Sequence, residues 1–138
     1  MVKERRIDLS KYRFERAKEE IDASKELLSL GYVNASASRS YYSVFYTLLA
    51  VTSLDGFESS KHSGIISYFN RYYVKTKIFD GSISEIIRNS FEKRTNADYG
   101  DFYKVSNVEA ESQIGRAEKI IEIIQPYLES RWAELEKE

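Results

Sequence analysis

The sequence predicts an all-α protein, an up-and-down bundle of about five helices that forms one domain over residues 1–138. Apolar residues recur at three- or four-residue intervals over long stretches, and the alternation of period two that marks half-buried strands is absent. The chain has only one proline and six glycines to interrupt its helices, so we expect long elements. Their short connections favour antiparallel neighbours, as in an up-and-down bundle.

The first two helices are predicted over residues 10–30 and 34–54. Ser10 is the expected N-cap of the first helix, and Gly31 is its expected stop. The second helix ends at an Asp-Gly pair, residues 55–56. Its side chains at helical spacing are Ala37, Tyr41, Val44, Phe45, Leu48, Leu49 and Thr52.

Serine residues are expected to cap the third and fourth helices. Ser60 begins a short helix that runs through Tyr73, and the β-branched and aromatic residues near that point leave its end open. The fourth helix opens at the capping-box pattern Ser82-Ile83-Ser84-Glu85. Both helices therefore have a start signal in the sequence.

The fifth helix has the clearest periodicity. It opens at Ser106-Asn107-Val108-Glu109, a second capping-box pattern. Pro126 removes one backbone hydrogen bond and clashes with the preceding turn, so we expect a kink or break near Ile124. The periodic positions are Ala110, Ile114, Ala117, Ile121, Ile124 and Leu128.

Composition excludes several chemistries. With no cysteine and a single histidine, the chain has no disulfide, thiolate metal site, cysteine nucleophile or His-rich metal site. The Glu-x-x-His pattern of di-iron bundles is missing, as are the glycine-rich motifs of serine hydrolases and phosphate loops. We expect no metal and no cofactor. The absence of cysteine, of a signal-peptide core and of an apolar run near ~18 residues predicts a cytoplasmic protein without a membrane partner.

The charge is nearly balanced overall but unevenly distributed. A net charge of -1 and a pI of about 6.0 argue against binding nucleic acid by bulk electrostatics. Residues 61–94 carry seven basic and three acidic side chains, whereas residues 107–138 carry four basic and eight acidic ones. The basic middle segment can face phosphate, although such an excess is also typical of a solvated surface.

One stripe of the second helix is polar. It consists of Arg39, Tyr42, Ser43 and Tyr46, at positions i, i+3, i+4 and i+7. In one interpretation Tyr41 and Phe45 pack in the core, and Arg39 pairs with an acid of a neighbouring helix. In the other, Arg39 is an anion-binding fork at a cleft or dimer interface, because guanidinium grips phosphate through two parallel hydrogen bonds.

A second candidate group stands at the end of the fourth helix. Arg94 and Asp98 are four residues apart and share a helix face, with Tyr99 beside them. A local salt bridge explains the pair. The order Arg then Asp is the less favourable one for a helix, which leaves open a role beyond local stabilisation.

The third candidate is Lys61-His62 at the start of the third helix. Helix N-termini carry free N–H groups that attract anions, so a phosphate can bind there with both side chains assisting. A lone histidine is more often structural, in which case His62 is a neutral partner for a carboxylate or carbonyl.

Taken in order, these motifs resemble the HEPN superfamily, and in particular its small UPF0332 branch. The resemblance runs from about residue 9 to residue 128 and is carried by Arg39-Ser40-Tyr41-Tyr42, Lys61-His62-Ser63-Gly64 and Arg94-Thr95-Asn96-Ala97-Asp98-Tyr99. It implies a HEPN-like up-and-down bundle that forms a homodimer through its polar helices. It also implies pairing with a minimal nucleotidyltransferase in a toxin–antitoxin-like system.

Many superfamily members are metal-independent endoribonucleases, in which an arginine and a histidine four to six residues later form the site across the dimer. The resemblance places Arg94 at that arginine. No histidine follows it, and Asp98 and Tyr99 occupy the histidine's neighbourhood. In related toxins a tyrosine near this place is modified by the partner nucleotidyltransferase, and Tyr99 lies nearest to it.

Two functions remain open beside a purely structural dimer. The first is a nucleotide- or RNA-binding homodimeric module, with Asp98 also in its cleft. Its candidate phosphate-binding residues are Arg39, Tyr42, Lys61, His62, Arg94 and Tyr99. The alternative is a divergent metal-independent endoribonuclease in which Arg94 stabilises the transition state and His62 or Asp98 handles the proton. The 11 tyrosines also favour an interface, where this residue type is enriched.

Overall fold

The computed structural model describes residues 2–99 and 103–138, apart from the side chains of Asn96, Ala97 and Tyr99. Over these residues the backbone is helical or in short connections, with no strand, so the all-α prediction is confirmed. The five α-helices are α1 (Lys3–Ser29), α2 (Val33–Leu54), α3 (His62–Phe69), α4 (Ser82–Tyr99) and α5 (Asn107–Lys137). A π-helical segment, Asn70–Val74, continues α3. No described helix combines the length and apolarity that a bilayer crossing requires.

Helix α2 is the centre of the bundle and contacts the other four helices. Serines occupy the middle of its face towards α1, and these small side chains let the two backbones approach closely. Ser24 of α1 donates a hydrogen bond to the carbonyl of Ser36 at 2.7 Å, and its hydroxyl lies 2.6 Å from that of Ser40. Ser43 donates to the carbonyl of Ala17 at 2.7 Å. These buried hydroxyls are therefore satisfied within the helix pair.

The core is formed by the apolar stripes that the helical periodicity predicts. Tyr41 and Leu48 of α2 are buried at its centre. Other fully buried side chains from the remaining helices are Ile65, Phe69, Ile83, Ile87, Ile120, Ile124 and Leu128. Removing such side chains from water is the main favourable contribution to folding.

Ser10 is not a helix cap, and that prediction is wrong. Helix α1 begins at Lys3, so Ser10 lies inside it with its side chain buried. Its hydroxyl donates to the carbonyl of Ala50 at 2.5 Å and accepts from Nε1 of Trp132 at 2.9 Å. A serine that looks like a cap in the sequence instead joins α1, α2 and α5.

Two further caps differ from the prediction. The N-cap of α3 is Lys61 rather than Ser60, and the hydroxyl of Ser59 accepts from the backbone N–H of Lys61 at 3.2 Å. Ser82 is the first residue of α4, and its backbone N–H donates to Asp80 at 2.9 Å. In both places a side chain two residues upstream binds the N–H, as in an Asx- or serine-turn.

The predicted start of α5 is confirmed, because the hydroxyl of Ser106 accepts from the backbone N–H of Glu109 at 3.1 Å. Of the kink or break expected near Ile124, the break is wrong, since α5 continues through Pro126. Pro126 has no backbone N–H, so the carbonyl of Glu122, four residues earlier, lacks its usual hydrogen-bond donor within the helix. Glu122 and Pro126 are both exposed, so water can satisfy that carbonyl while Ile124 stays buried.

Gly31 ends α1 as predicted. Its φ of 87° lies in the left-handed region that favours glycine, and its N–H donates to the carbonyl of Leu28. The N–H of Tyr32 donates to the carbonyl of Leu27 at 2.9 Å, so two carbonyls of the last turn are satisfied. The chain therefore reverses within three residues, which brings α2 directly against α1.

Candidate functional site

Arg94 is the centre of the candidate site and reaches from α4 to α2. Its Nη2 donates to the hydroxyl of Tyr42 at 2.9 Å, and its Nε lies 2.9 Å from a carboxylate oxygen of Asp98. The guanidinium carbon is 5.4 Å from the ring centre of Tyr41 and 5.5 Å from that of Tyr42. The predicted salt bridge between Arg94 and Asp98 is confirmed.

Asp98 connects the end of α4 to α2. Its carboxylate, besides pairing with Arg94, accepts a hydrogen bond from Ser38 at 3.4 Å. The side chain of Arg94 is 13% exposed and that of Asp98 is 26% exposed. The arginine is therefore fixed from two sides, and its carboxylate partner is the group nearer to solvent.

Arg39 of the polar stripe contacts both a tyrosine of its own helix and a carboxylate of α1. Its guanidinium carbon lies 4.6 Å from the ring centre of Tyr42, and its Nη1 pairs with the carboxylate of Glu20 on α1 at 3.0 Å. Tyr41 and Phe45 are buried. The core interpretation is thus confirmed, and Arg39 nevertheless lies beside the tyrosine that Arg94 contacts.

Sequence reasoning missed Glu20. This residue is 6% exposed, and its carboxylate also accepts from Arg16 at 3.1 Å. It stands three residues after Ala17 on the apolar stripe of α1, among side chains that pack into the core. A charged residue at a core position was the available signal, because carboxylates are almost never buried without a partner.

His62 lies against the tyrosines of α2. Its Nδ1 shares a hydrogen bond of 2.9 Å with the hydroxyl of Tyr41, and its ring centre is 4.0 Å from that of Phe45. Burial and, secondarily, the positive charge of Arg94 lower the pKa of His62. Burial raises the pKa of the Tyr41 hydroxyl. Both groups are neutral near pH 7, and the partner of His62 is a phenol rather than the expected carboxylate or carbonyl.

The tertiary structure thus gathers side chains from three helices, which we call the arginine–tyrosine cluster: Arg39, Tyr41, Tyr42, His62, Arg94 and Asp98. Lys61 is exposed at the N-cap of α3, and no described contact brings it into the cluster. The side chain of Tyr99 lies outside the described residues. Tyr41 and Phe45 were predicted as core residues, and their contact with His62 was not predicted.

The cluster combines groups that can bind an anion with one that can accept a proton. Two guanidinium groups adjoin the single ring of Tyr42, and each is paired with a carboxylate. A phosphate that binds here replaces or joins those carboxylates as an acceptor. Across residues 2–99 and 103–138, no three His, Asp or Glu side chains are grouped in a way that can hold a metal ion.

Comparison with known proteins identifies the family. The model of the HEPN domain family matches residues 10–127. A UPF0332 protein of Thermotoga maritima is 32% identical over 114 residues, which cover 83% of this chain and 86% of that protein. A Methanocaldococcus jannaschii protein named a putative toxin is 28% identical over 85% of this chain and 80% of its own length. The chain therefore belongs to the HEPN domain family, in the UPF0332 branch that its arginine, histidine and tyrosine motifs resemble.

Proposed function

We propose that the chain is a toxin-like HEPN module that binds the phosphate of a nucleotide or of RNA at the arginine–tyrosine cluster. The observation that carries the proposal is the pair of guanidinium groups at one ring, with Arg39 stacked on Tyr42 and Arg94 donating to its hydroxyl. Arginine forks recognise phosphate oxygens through parallel hydrogen bonds. The names of the Methanocaldococcus jannaschii relatives support the toxin-like part.

The proposal includes an assembly. Two copies pair as a homodimer through the polar helices, and a minimal nucleotidyltransferase protein binds to the same module, in the cytoplasm. The family resemblance supports both partners. Light scattering tests the first of them, since a dimer has twice the 16.1 kDa mass of the chain. A mass equal to that of one chain across the micromolar range would contradict the homodimer.

Binding is tested by fluorescence anisotropy with a labelled single-stranded RNA of mixed sequence. Arg94→Ala is expected to weaken binding by about tenfold or more, because it removes charge-assisted hydrogen bonds to phosphate. Arg5→Ala is the matched control, since Arg5 is exposed on α1 and away from the cluster. Equal affinity of the Arg94→Ala and Arg5→Ala variants would overturn the proposal.

A second candidate function is the metal-independent endoribonuclease. The observation that favours it is the position of His62, which comes from α3 and shares a hydrogen bond with Tyr41. The guanidinium carbon of Arg94 lies 5.4 Å from the ring centre of that same tyrosine. The neutral imidazole can take the proton of a ribose 2′-hydroxyl, whose oxygen then attacks phosphorus and displaces the 5′-oxygen. Arg94 stabilises the charge on the phosphorane, a water molecule gives the displaced 5′-oxygen its proton, and the proton taken by His62 passes to solvent.

The two functions are separated by incubating the purified chain with a mixed RNA pool in EDTA. Cleavage by the parent chain, with 2′,3′-cyclic phosphate ends, and its loss in both Arg94→Ala and His62→Gln would establish the nuclease. Equal cleavage by the parent and the Arg94→Ala variant would indicate a contaminant. RNA binding without any cleavage leaves the binding module as the function.

A further inference from the structure

A cavity of about 330 Å³ lies between α3, the π-helical segment and α4. Ile66 and Phe91 supply its apolar surface. Polar and charged groups come from Ser63, Ser67, Asn70, Ser84, Glu85 and Arg88. This volume is at the lower end of the roughly 300–1,000 Å³ that small-molecule sites occupy. Most of the surface that faces the cavity is apolar. Small-molecule sites share this property and add a few placed hydrogen-bonding groups.

Asn70 is held in one orientation at the edge of this cavity. The hydroxyl of Ser84 donates to its Oδ1 at 2.8 Å, which leaves the amide nitrogen as the group that can donate to a ligand. Asn70 begins the π-helical segment, and its carbonyl accepts from the N–H of Lys75 at 2.9 Å. Such π-helical turns occur frequently at functional sites.

The cavity adjoins the arginine–tyrosine cluster on two sides. Phe91 precedes Arg94 by one turn of α4, and its ring centre is 5.9 Å from that of Tyr41. Ser63 directly follows His62 on α3. A ligand whose anionic group lies at Arg94 therefore has a partly apolar cavity within reach of its remaining atoms.

We propose that this cavity is a nucleoside pocket, in which the base of one ribonucleotide, free or within single-stranded RNA, packs on Phe91 and is hydrogen-bonded by Asn70. Bases stack on aromatic side chains without regard to sequence, and asparagine amides read the edges of bases. The inference rests on the proposed function, because it places the phosphate of that nucleotide at Arg94.

Filling the pocket tests the proposal without altering the cluster. Ser67 lines the cavity from an exposed position of α3, and Ser130 is exposed on α5, so Ser67→Trp and Ser130→Trp are matched variants. The probes are the labelled RNA, the four ribonucleoside 5′-monophosphates, and ribose 5-phosphate, which lacks a base. Ser67→Trp is expected to weaken RNA or mononucleotide binding by about 5- to 150-fold, the range measured for lost base stacking. Its affinity for ribose 5-phosphate stays that of the parent chain.

A second variant tests recognition of the base directly. Asn70→Asp keeps the size of the side chain and the acceptor for Ser84 but loses the amide donor. We expect the order of affinity among the four monophosphates to change, with the preferred base losing about fivefold. An equal loss for all four would reflect the added negative charge alone and would contradict base recognition.

The outcomes separate the two proposals. Circular dichroism first shows that the Ser67→Trp variant is folded. If the parent chain then binds RNA in an Arg94-dependent way and Ser67→Trp binds RNA as tightly as Ser130→Trp does, the pocket is overturned and the proposed function stands. If the parent chain binds neither RNA nor mononucleotides, both are overturned. If Ser67→Trp weakens the binding of RNA but not of the monophosphates, the pocket is assigned to RNA. If Ser67→Trp weakens the binding of the monophosphates, the pocket is assigned to free nucleotides.

Discussion

The Nδ1 atom of His62 lies 2.9 Å from the hydroxyl oxygen of Tyr41, although the two residues belong to different helices. This hydrogen bond makes the single histidine of the chain a member of the arginine–tyrosine cluster. The family resemblance implies a histidine a few residues after Arg94, and that position holds none. An imidazole is nevertheless present at the cluster, supplied by α3 instead of α4.

The lowered pKa of His62 makes stability depend on pH. The folded state binds a proton less readily than the unfolded state, whose histidine has a pKa near 6.5. The free energy of unfolding is therefore expected to fall as the pH drops from about 7.5 to about 5.5. Urea denaturation at three pH values measures this slope.

Two variants serve as controls for that slope. His62→Gln keeps a hydrogen-bonding partner for Tyr41 but cannot titrate, so most of the slope should disappear with it. Tyr41→Phe retains the histidine, its burial and Arg94, and should keep the slope. The interpretation is wrong if the parent chain and His62→Gln lose stability equally over this range.

Asp98→Asn is expected to strengthen RNA binding by up to about fivefold. The carboxylate of Asp98 pairs with Arg94 and repels phosphate, and partly exposed ion pairs contribute about 0.2–1 kcal/mol. Anisotropy with the labelled RNA measures the change, and Asp22→Asn, at an exposed position of α1, controls for net charge. Weaker binding would show that Asp98 assists the ligand rather than competing with it.

Tyr42→Phe removes the hydroxyl that accepts from Arg94 and keeps the ring that contacts Arg39. We expect the free energy of unfolding to fall by about 0.5–1.5 kcal/mol, the net contribution of one hydrogen bond, and RNA binding to weaken. Chemical denaturation and anisotropy measure the two effects. Tyr46→Phe, one turn further along α2, should change stability by less than about 0.5 kcal/mol.

Glu20→Gln tests the buried carboxylate between Arg16 and Arg39. We expect a loss of about 1–2 kcal/mol in the free energy of unfolding, because the hydrogen bonds from Arg16 and Arg39 lose their charged acceptor. Arg16 then keeps only the exposed carboxylate of Glu19 at 3.8 Å. Glu19→Gln is the matched control, since its side chain is 70% exposed and should contribute little. Equal losses in the two variants would contradict the assigned role of Glu20.

The fold was predictable because its main determinants are local. Helical spacing of apolar residues, Gly31 and Ser106 act within a few residues of themselves, and each performed the predicted role. Ser10 did not, because serine suits both a helix start and a close contact between helices. Only the packing of α1 against α2 and α5 selects the second role for it.

In the candidate site, too, some features follow from the local sequence and others from the tertiary structure. The sequence by itself determined which side chains are candidates for binding phosphate and that Arg94 and Asp98 share a helix face. The tertiary structure decided that Arg39 and Arg94 adjoin the ring of Tyr42, that Glu20 neutralises Arg39, and that His62 reaches Tyr41. Spacing along one helix determines contacts within that helix, whereas contacts between α1, α2, α3 and α4 depend on how the complete core packs, to which every helix contributes.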